Sequence, residues 1–168
     1  MKTNDPFELG VGSEELGVEL PTPHSQLPTQ NYVDILNESK VIINLDLFNS
    51  IFTWMKEDNI FALEDTCCLK LSENSEIQDM NNKYRGSNKM TDVLSFPCEI
   101  KNIPFKGDII INTVVADSQK GPRSLEKEIA ILFIHGLLHL GGFNHTNKKE
   151  QLRMQMYEEK YCIRLLKV

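Results

Sequence analysis

The sequence has no long hydrophobic run. Its longest unbroken apolar stretch, Ile129–Ile134, falls far short of the ~20 residues that cross a bilayer as a helix. The opening residues, MKTNDPFELG, are acidic and lead into no apolar segment. They read neither as a secretory signal nor as an Arg-rich transit peptide, so the expected location is the cytoplasm. Cysteine is sparse. Cys67, Cys68, Cys98 and Cys162 show no CxxC spacing, and the adjacent pair is unsuited to bridging itself. All four read as reduced thiols, not as a disulfide frame or a cysteine zinc site. A basic excess is missing as well: 18 Lys and Arg face 24 Asp and Glu, a net charge of −6. No overall positive field therefore draws in nucleic acid. The deficit is uneven, with −5 in residues 1–40 and −1 in residues 41–168. Local patches decide what the near-neutral part can bind.

What is present is an ordinary soluble composition, 40% apolar and 25% charged over 168 residues. Residues 1–29 hold Gly10, Gly12, Pro21, Pro23 and Pro28 among scattered acids without periodicity. They read as a disordered or extended acidic tail, and residues 30–168 as a single domain. Tyr32–Ser39 alternates loosely and suggests a first strand. Leu45, Phe48, Ile51, Phe52 and Met55 recur at helical spacing, which predicts an amphipathic helix ending near Asp58. Short strands are expected at Cys67–Leu71 and Thr91–Pro97, the latter stopped by its proline. A polar helix is expected between them at Ser75–Tyr84. Gly107–Val115 is largely β-branched and reads as a buried central strand. Ser124 is the expected N-cap of a helix from about Leu125 to Leu140, ended by Gly141-Gly142. A last helix spans roughly Lys148–Leu165. The fold class is α/β (α+β), a small mixed β-sheet packed with helices.

The segment ILFIHGLLHLGGFNH is apolar, yet it holds three of the four histidines. His135 and His139 stand four apart, so a helix puts them on one face a turn from each other. The glycine pair allows a sharp turn that can return His145 to the same place. Core histidines bonded to backbone would be the plainer explanation of one such residue. For three, in a setting that offers few polar partners, a shared ion satisfies all the imidazoles together. Three nitrogen ligands without an evident fourth leave a coordination position open, as catalytic sites do. Zinc there lowers the pKa of a water to about 7. The metal site thus sits at the end of a long helix. Zinc endopeptidases of the HExxHxxGxxH type share the histidine spacing, but their general base follows the first histidine. Here that residue is Gly136, which moves no proton. A glycine inside a helix also signals a close approach to its backbone.

A second cluster lies in NNKYRGSNKMTDVLSFP, where Lys83, Arg85 and Lys89 stand within seven residues without an acid. Lys83 and Lys89 read as solvated charges, whereas Arg85 can clamp a phosphate through two hydrogen bonds. Taken in order, YRGSNKMTDVLSFP, GDIIIN and HGLLHLGGFNH resemble the YbeY family of metal-dependent endoribonucleases over residues 31–165. The resemblance implies a small α/β fold with one zinc ion per chain on His135, His139 and His145. It implies a role for Arg85 in activity and makes Arg85 and His135 the candidate catalytic residues. It also implies single-stranded RNA as substrate, in 16S-type ribosomal RNA 3′-end maturation and small-subunit quality control. The expected partners are ribosomal RNA, the small subunit and assembly factors. One position departs from the family pattern, which carries Asp before the third histidine; this chain has Asn144. Asn can orient an imidazole through its carbonyl oxygen but cannot accept a proton. Glu128, seven residues before His135, reads as a helix-start carboxylate. Three competing readings are a non-enzymatic assembly factor stabilised by the metal, a zinc metallopeptidase, and a binding module with core histidines and no metal.

Overall fold

A computed structural model describes residues 31–73, 77, 81–83 and 91–168. The acidic tail, most of the Ser75–Tyr84 helix, Arg85 and Lys89 lie outside the described residues. In chain order the elements are β1 (Val33–Asn37), α1 (Leu45–Glu57), β2 (Thr66–Ser72), β3 (Val93–Pro97), β4 (Phe105–Asn112), α2 (Thr113–Gln119), α3 (Leu125–Leu140) and α4 (Lys148–Leu165).

The four strands form one mixed sheet in the order β1-β2-β4-β3. β1, β2 and β4 run parallel, and β3 pairs antiparallel with β4. The expected central strand is therefore β4, between β2 and β3. Its Ile109 and Ile111 sit opposite Leu69 and Leu71 of β2, and all four are fully buried. Ile110 points to the other face, where it meets Leu94, Ile77 and Phe96. Cover on both faces explains why β4 reads as a continuous apolar run instead of an alternation.

The strand is shorter than its sequence suggests. Thr113, Val114 and Val115 favour strands by side-chain shape, yet they open α2. Asn112 is the cause: its Oδ1 accepts from the amides of Val114 and Val115 at 3.1 and 3.2 Å. The cap satisfies donors that a continued strand would have paired, and it outweighs β-propensity.

α1 buries Phe48, Ile51, Phe52 and Met55, and Asn44 caps it. α3 begins where expected, with Ser124 Oγ accepting from the Lys127 amide at 3.2 Å. Its buried residues Ile129, Phe133, Ile134, Leu137 and Leu138 belong to the main core, with α1 and the β2–β4 face around it. Each such side chain contributes about 1.5–3 kcal/mol by leaving water. α4 is polar apart from Met154, Tyr161 and Leu165, which are buried. It is pinned to the end of α1 by Asp58, whose Oδ2 accepts from Lys160 Nζ and Tyr161 Oη, both at 2.6 Å. Those two bonds hold the Asp58 carboxyl below its usual range. All four cysteines are free thiols. Among the described residues, no helix is long and apolar enough to cross a membrane.

Candidate metal centre

Gly136 explains how α3 is placed. A Cβ on it would lie 2.8 Å from Ile109 Cγ2 and 3.1 Å from Ser95 Oγ. The glycine therefore lets the helix press its backbone onto β3 and β4. This is the close approach that the sequence suggested. It also fixes which way the neighbouring residue faces. With 3.6 residues per turn, His135 and His139 fall on a different face from Gly136. Both are half-buried. The helix then ends at Gly141, whose amide bonds to Leu137 O. Gly142 alone of the pair takes the left-handed conformation, at φ 85°, while Gly141 stays at −76°. The turn brings His145 back beside the other two.

The three imidazoles converge. One ring nitrogen from each lies within 4.8 Å of the other two. The ring centroids of His135 and His139 are 4.7 Å apart, and that of His145 lies 5.7 and 5.3 Å from them. His145 is exposed, so the site opens to solvent on its side.

Partners of the far nitrogens orient two of the rings. His135 Nδ1 meets Glu158 Oε1 of α4 at 2.5 Å. His139 Nδ1 donates to the Phe143 carbonyl at 3.0 Å. A carboxylate and a carbonyl are acceptors, so each Nδ1 carries a proton, and in the neutral ring Nε2 presents its lone pair. Those two Nε2 atoms stand 3.1 Å apart. Two facing lone pairs repel unless a proton or a cation lies between them. Two nitrogens bound tetrahedrally to one ion at about 2.0–2.1 Å would be roughly 3.4 Å apart. The observed spacing suits an ion with little rearrangement. A carboxylate or carbonyl behind each ligating imidazole is the usual support of such a site.

The Phe143 carbonyl is itself held firmly. The Phe143 ring is buried, packs edge-on against Tyr157 at 5.1 Å and lies under the Arg153 guanidinium at 4.9 Å. Asn144 does not orient an imidazole here. It is exposed, and its Nδ2 donates to the Gly142 carbonyl at 3.3 Å, bracing the turn. Glu128 is buried and pairs with Arg123, Nη2 to Oε2 at 2.6 Å, at the far end of α3. Its role is structural.

Of the residues singled out in the sequence, His135, His139 and His145 are brought together. Arg85 lies outside the described residues. Glu158 was not foreseen. A trace of it exists in the sequence, because it stands four residues after Met154 and three before Tyr161, on the buried stripe of α4. A carboxylate in an apolar stripe asks for a partner, and His135 is that partner.

Beside the imidazoles, a cavity of about 400 Å³ opens between α3, α4 and the start of β3, with His135 and Glu158 in its wall. Burial, and after it the Glu158 carboxylate, push the nearby Cys162 thiol up, so it stays protonated and uncharged at neutral pH.

The family model for "Endoribonuclease YbeY" matches residues 34–165. The chain is 38% identical over 146 residues to the endoribonuclease YbeY of Caldicellulosiruptor bescii, covering 77% of this chain and 89% of that one. It is 42% identical over 128 residues to the endoribonuclease YbeY of Aliarcobacter butzleri, covering 70% and 91%. A solution structure from Thermotoga maritima is 28% identical and covers 77% of this chain and 86% of that one, with a TM-score of 0.49. A match over nearly all of residues 31–168, at this identity, places the chain in the YbeY family of endoribonucleases.

Proposed function

We propose that this protein is a zinc-dependent endoribonuclease that cuts single-stranded RNA during maturation of the small-subunit ribosomal RNA. The observation that carries the reading is the facing pair of Nε2 atoms on His135 and His139, with His145 beside them. Membership of an endoribonuclease family supplies the reaction class. A bound zinc ion would supply Lewis acidity to a phosphodiester and to water.

The chain's own groups do the rest. His135, His139 and His145 hold the ion, and His135 is catalytic through that contact. Glu158 and the Phe143 carbonyl keep two of the ligands in one tautomer and one orientation. The exposed side at His145 admits the substrate. Lys148, Lys149 and Arg153 follow His145 on the first turns of α4 and offer positive charge to an RNA backbone. Arg85 neutralises charge gathering on the phosphoryl oxygens. The substrate is the 3′ end of a 16S-type ribosomal RNA precursor, and the partners are the small subunit and its assembly factors in the cytoplasm. Gly136, pressed against Ile109, leaves no place for the glutamate base of a peptidase.

The test is cleavage of a single-stranded ribosomal RNA fragment by purified protein, with and without zinc, beside a His139→Ala control. Zinc-dependent cleavage that the variant lacks supports the proposal. Cleavage that persists in the variant overturns it. Undiminished stimulation of subunit assembly without any cleavage would favour a non-enzymatic assembly factor.

A further inference from the structure

The cavity beside His135 has a chemistry of its own. Val93, Ile131, Leu132 and Ile134 make its walls apolar. Its polar side chains are Asp92, His135, Gln155, Glu158 and Glu159, with the Cys162 thiol beside them. Gln155 spends an amide hydrogen on Glu159, Nε2 to Oε1 at 3.1 Å, which leaves its carbonyl oxygen as an acceptor. Asp92 Oδ1 is engaged by the Val93 amide and Glu158 Oε1 by His135 Nδ1, and the second oxygen of each carboxylate is likewise an acceptor. Three carboxylates at one mouth repel phosphate, so the RNA backbone stays outside. The uncharged part of a nucleotide that suits an apolar slot of this size is its base. An acceptor-lined rim favours bases whose edge carries an amino group, because a carboxylate accepts from cytosine N4–H₂ and repels the carbonyl of uracil. The slot shares His135 with the metal centre, so a base held there lies next to the position of the ion.

We infer that this cavity receives the base of a nucleotide flanking the cut bond and selects amino-bearing bases over uracil. The inference rests on the endoribonuclease reading and adds a specificity subsite to it, with Ile131, Glu159 and Asp92 in its lining.

Cytidine and uridine are the probes, since they match in size and differ at the edge the rim would read. Binding of each free nucleoside to the full chain is measured by NMR titration, which needs no catalysis. Cytidine is expected to shift signals of residues lining the cavity and to bind about tenfold more tightly than uridine. Ile131→Trp, which fills the slot, is expected to abolish cytidine binding while zinc content stays unchanged. Glu159→Gln sits on the exposed rim, where folding is insensitive to it, and is expected to narrow the cytidine preference severalfold. In parallel, oligouridylate carrying one cytidine is expected to be cut beside that cytidine. Equal affinity for the two nucleosides, no binding of either, or an undiminished preference in both variants would overturn the inference. Nucleoside binding as expected without any RNA cleavage would instead strike the nuclease reading and leave the subsite standing.

Discussion

The two faces of α3 are built to opposite rules. One face presses Gly136 onto Ile109 and Ser95 and buries Ile129, Phe133 and Leu137, using shape alone. The other carries His135 and His139 half-buried, each tied by its far nitrogen to an acceptor from outside the helix. Adjacent residues, 135 and 136, serve the two tasks. The sheet face sets the depth of the helix through the close approach at Gly136. The imidazole face uses that fixed placement to aim two lone pairs at one point. Packing on one side is thus the positioning device for chemistry on the other.

The comparison breaks most visibly on the imidazole side. His139→Ala removes one of the three converging imidazoles, and on the proposed reading cleavage with zinc present is expected to fall at least a hundredfold, about the upper end seen even for outer partners. Its urea midpoint with metal chelated should stay close to that of the unchanged protein, because the ring is not part of the core. A large shift of that midpoint would show that the two faces are not separable.

Glu158→Gln comes next. It keeps the shape but weakens the acceptor behind His135, and zinc affinity is expected to drop about 10–100-fold. Competition against a chromophoric chelator reads this directly. Affinity equal to that of the unchanged protein would reduce Glu158 to a surface contact.

Gly136→Ala tests the sheet side. The added Cβ must displace Ile109, an overpacking cost of about 1–3 kcal/mol, partly offset by the ~1 kcal/mol that alanine gains over glycine in a helix. A net loss of roughly 1 kcal/mol is expected in urea unfolding, with zinc affinity lowered because the helix must shift. A stabilised variant would mean that the contact with β4 is loose.

Asp58→Asn touches neither face of α3, so its effect on zinc binding should be the smallest. The carboxylate holds α4 through Lys160 and Tyr161, and its removal is expected to cost about 1–2 kcal/mol at pH 7. Because those bonds lower the Asp58 pKa, its contribution is complete above the unfolded value of 3.8 and fades as pH falls through the lower folded value. The stability gap between the two proteins should therefore close on acidification below about pH 4. A gap unchanged by pH would place the loss elsewhere.

Much of this was legible in the sequence, where local rules governed. α3 and α4 begin and end as the sequence predicts, because Ser124 caps one and a glycine turn separates them. The three histidines could be grouped from spacing alone, since i, i+4 on a helix is a statement about distance. What escaped depended on contacts far apart in the chain or on competition between local signals. Glu158 reaches His135 across 23 positions, and nothing local marks it beyond its place on an apolar stripe. Asn112 as a cap overrode three β-branched residues and created α2. Asn144, which can support an imidazole through its carbonyl oxygen, donates its Nδ2 to the Gly142 carbonyl across the turn.

Zinc content per chain is the most direct measurement of the central claim. Elemental analysis of the purified protein and of His139→Ala should give one equivalent of metal in the first and almost none in the second. Equal metal in both, or none in the unchanged protein after exposure to zinc, would contradict an ion held by these three imidazoles.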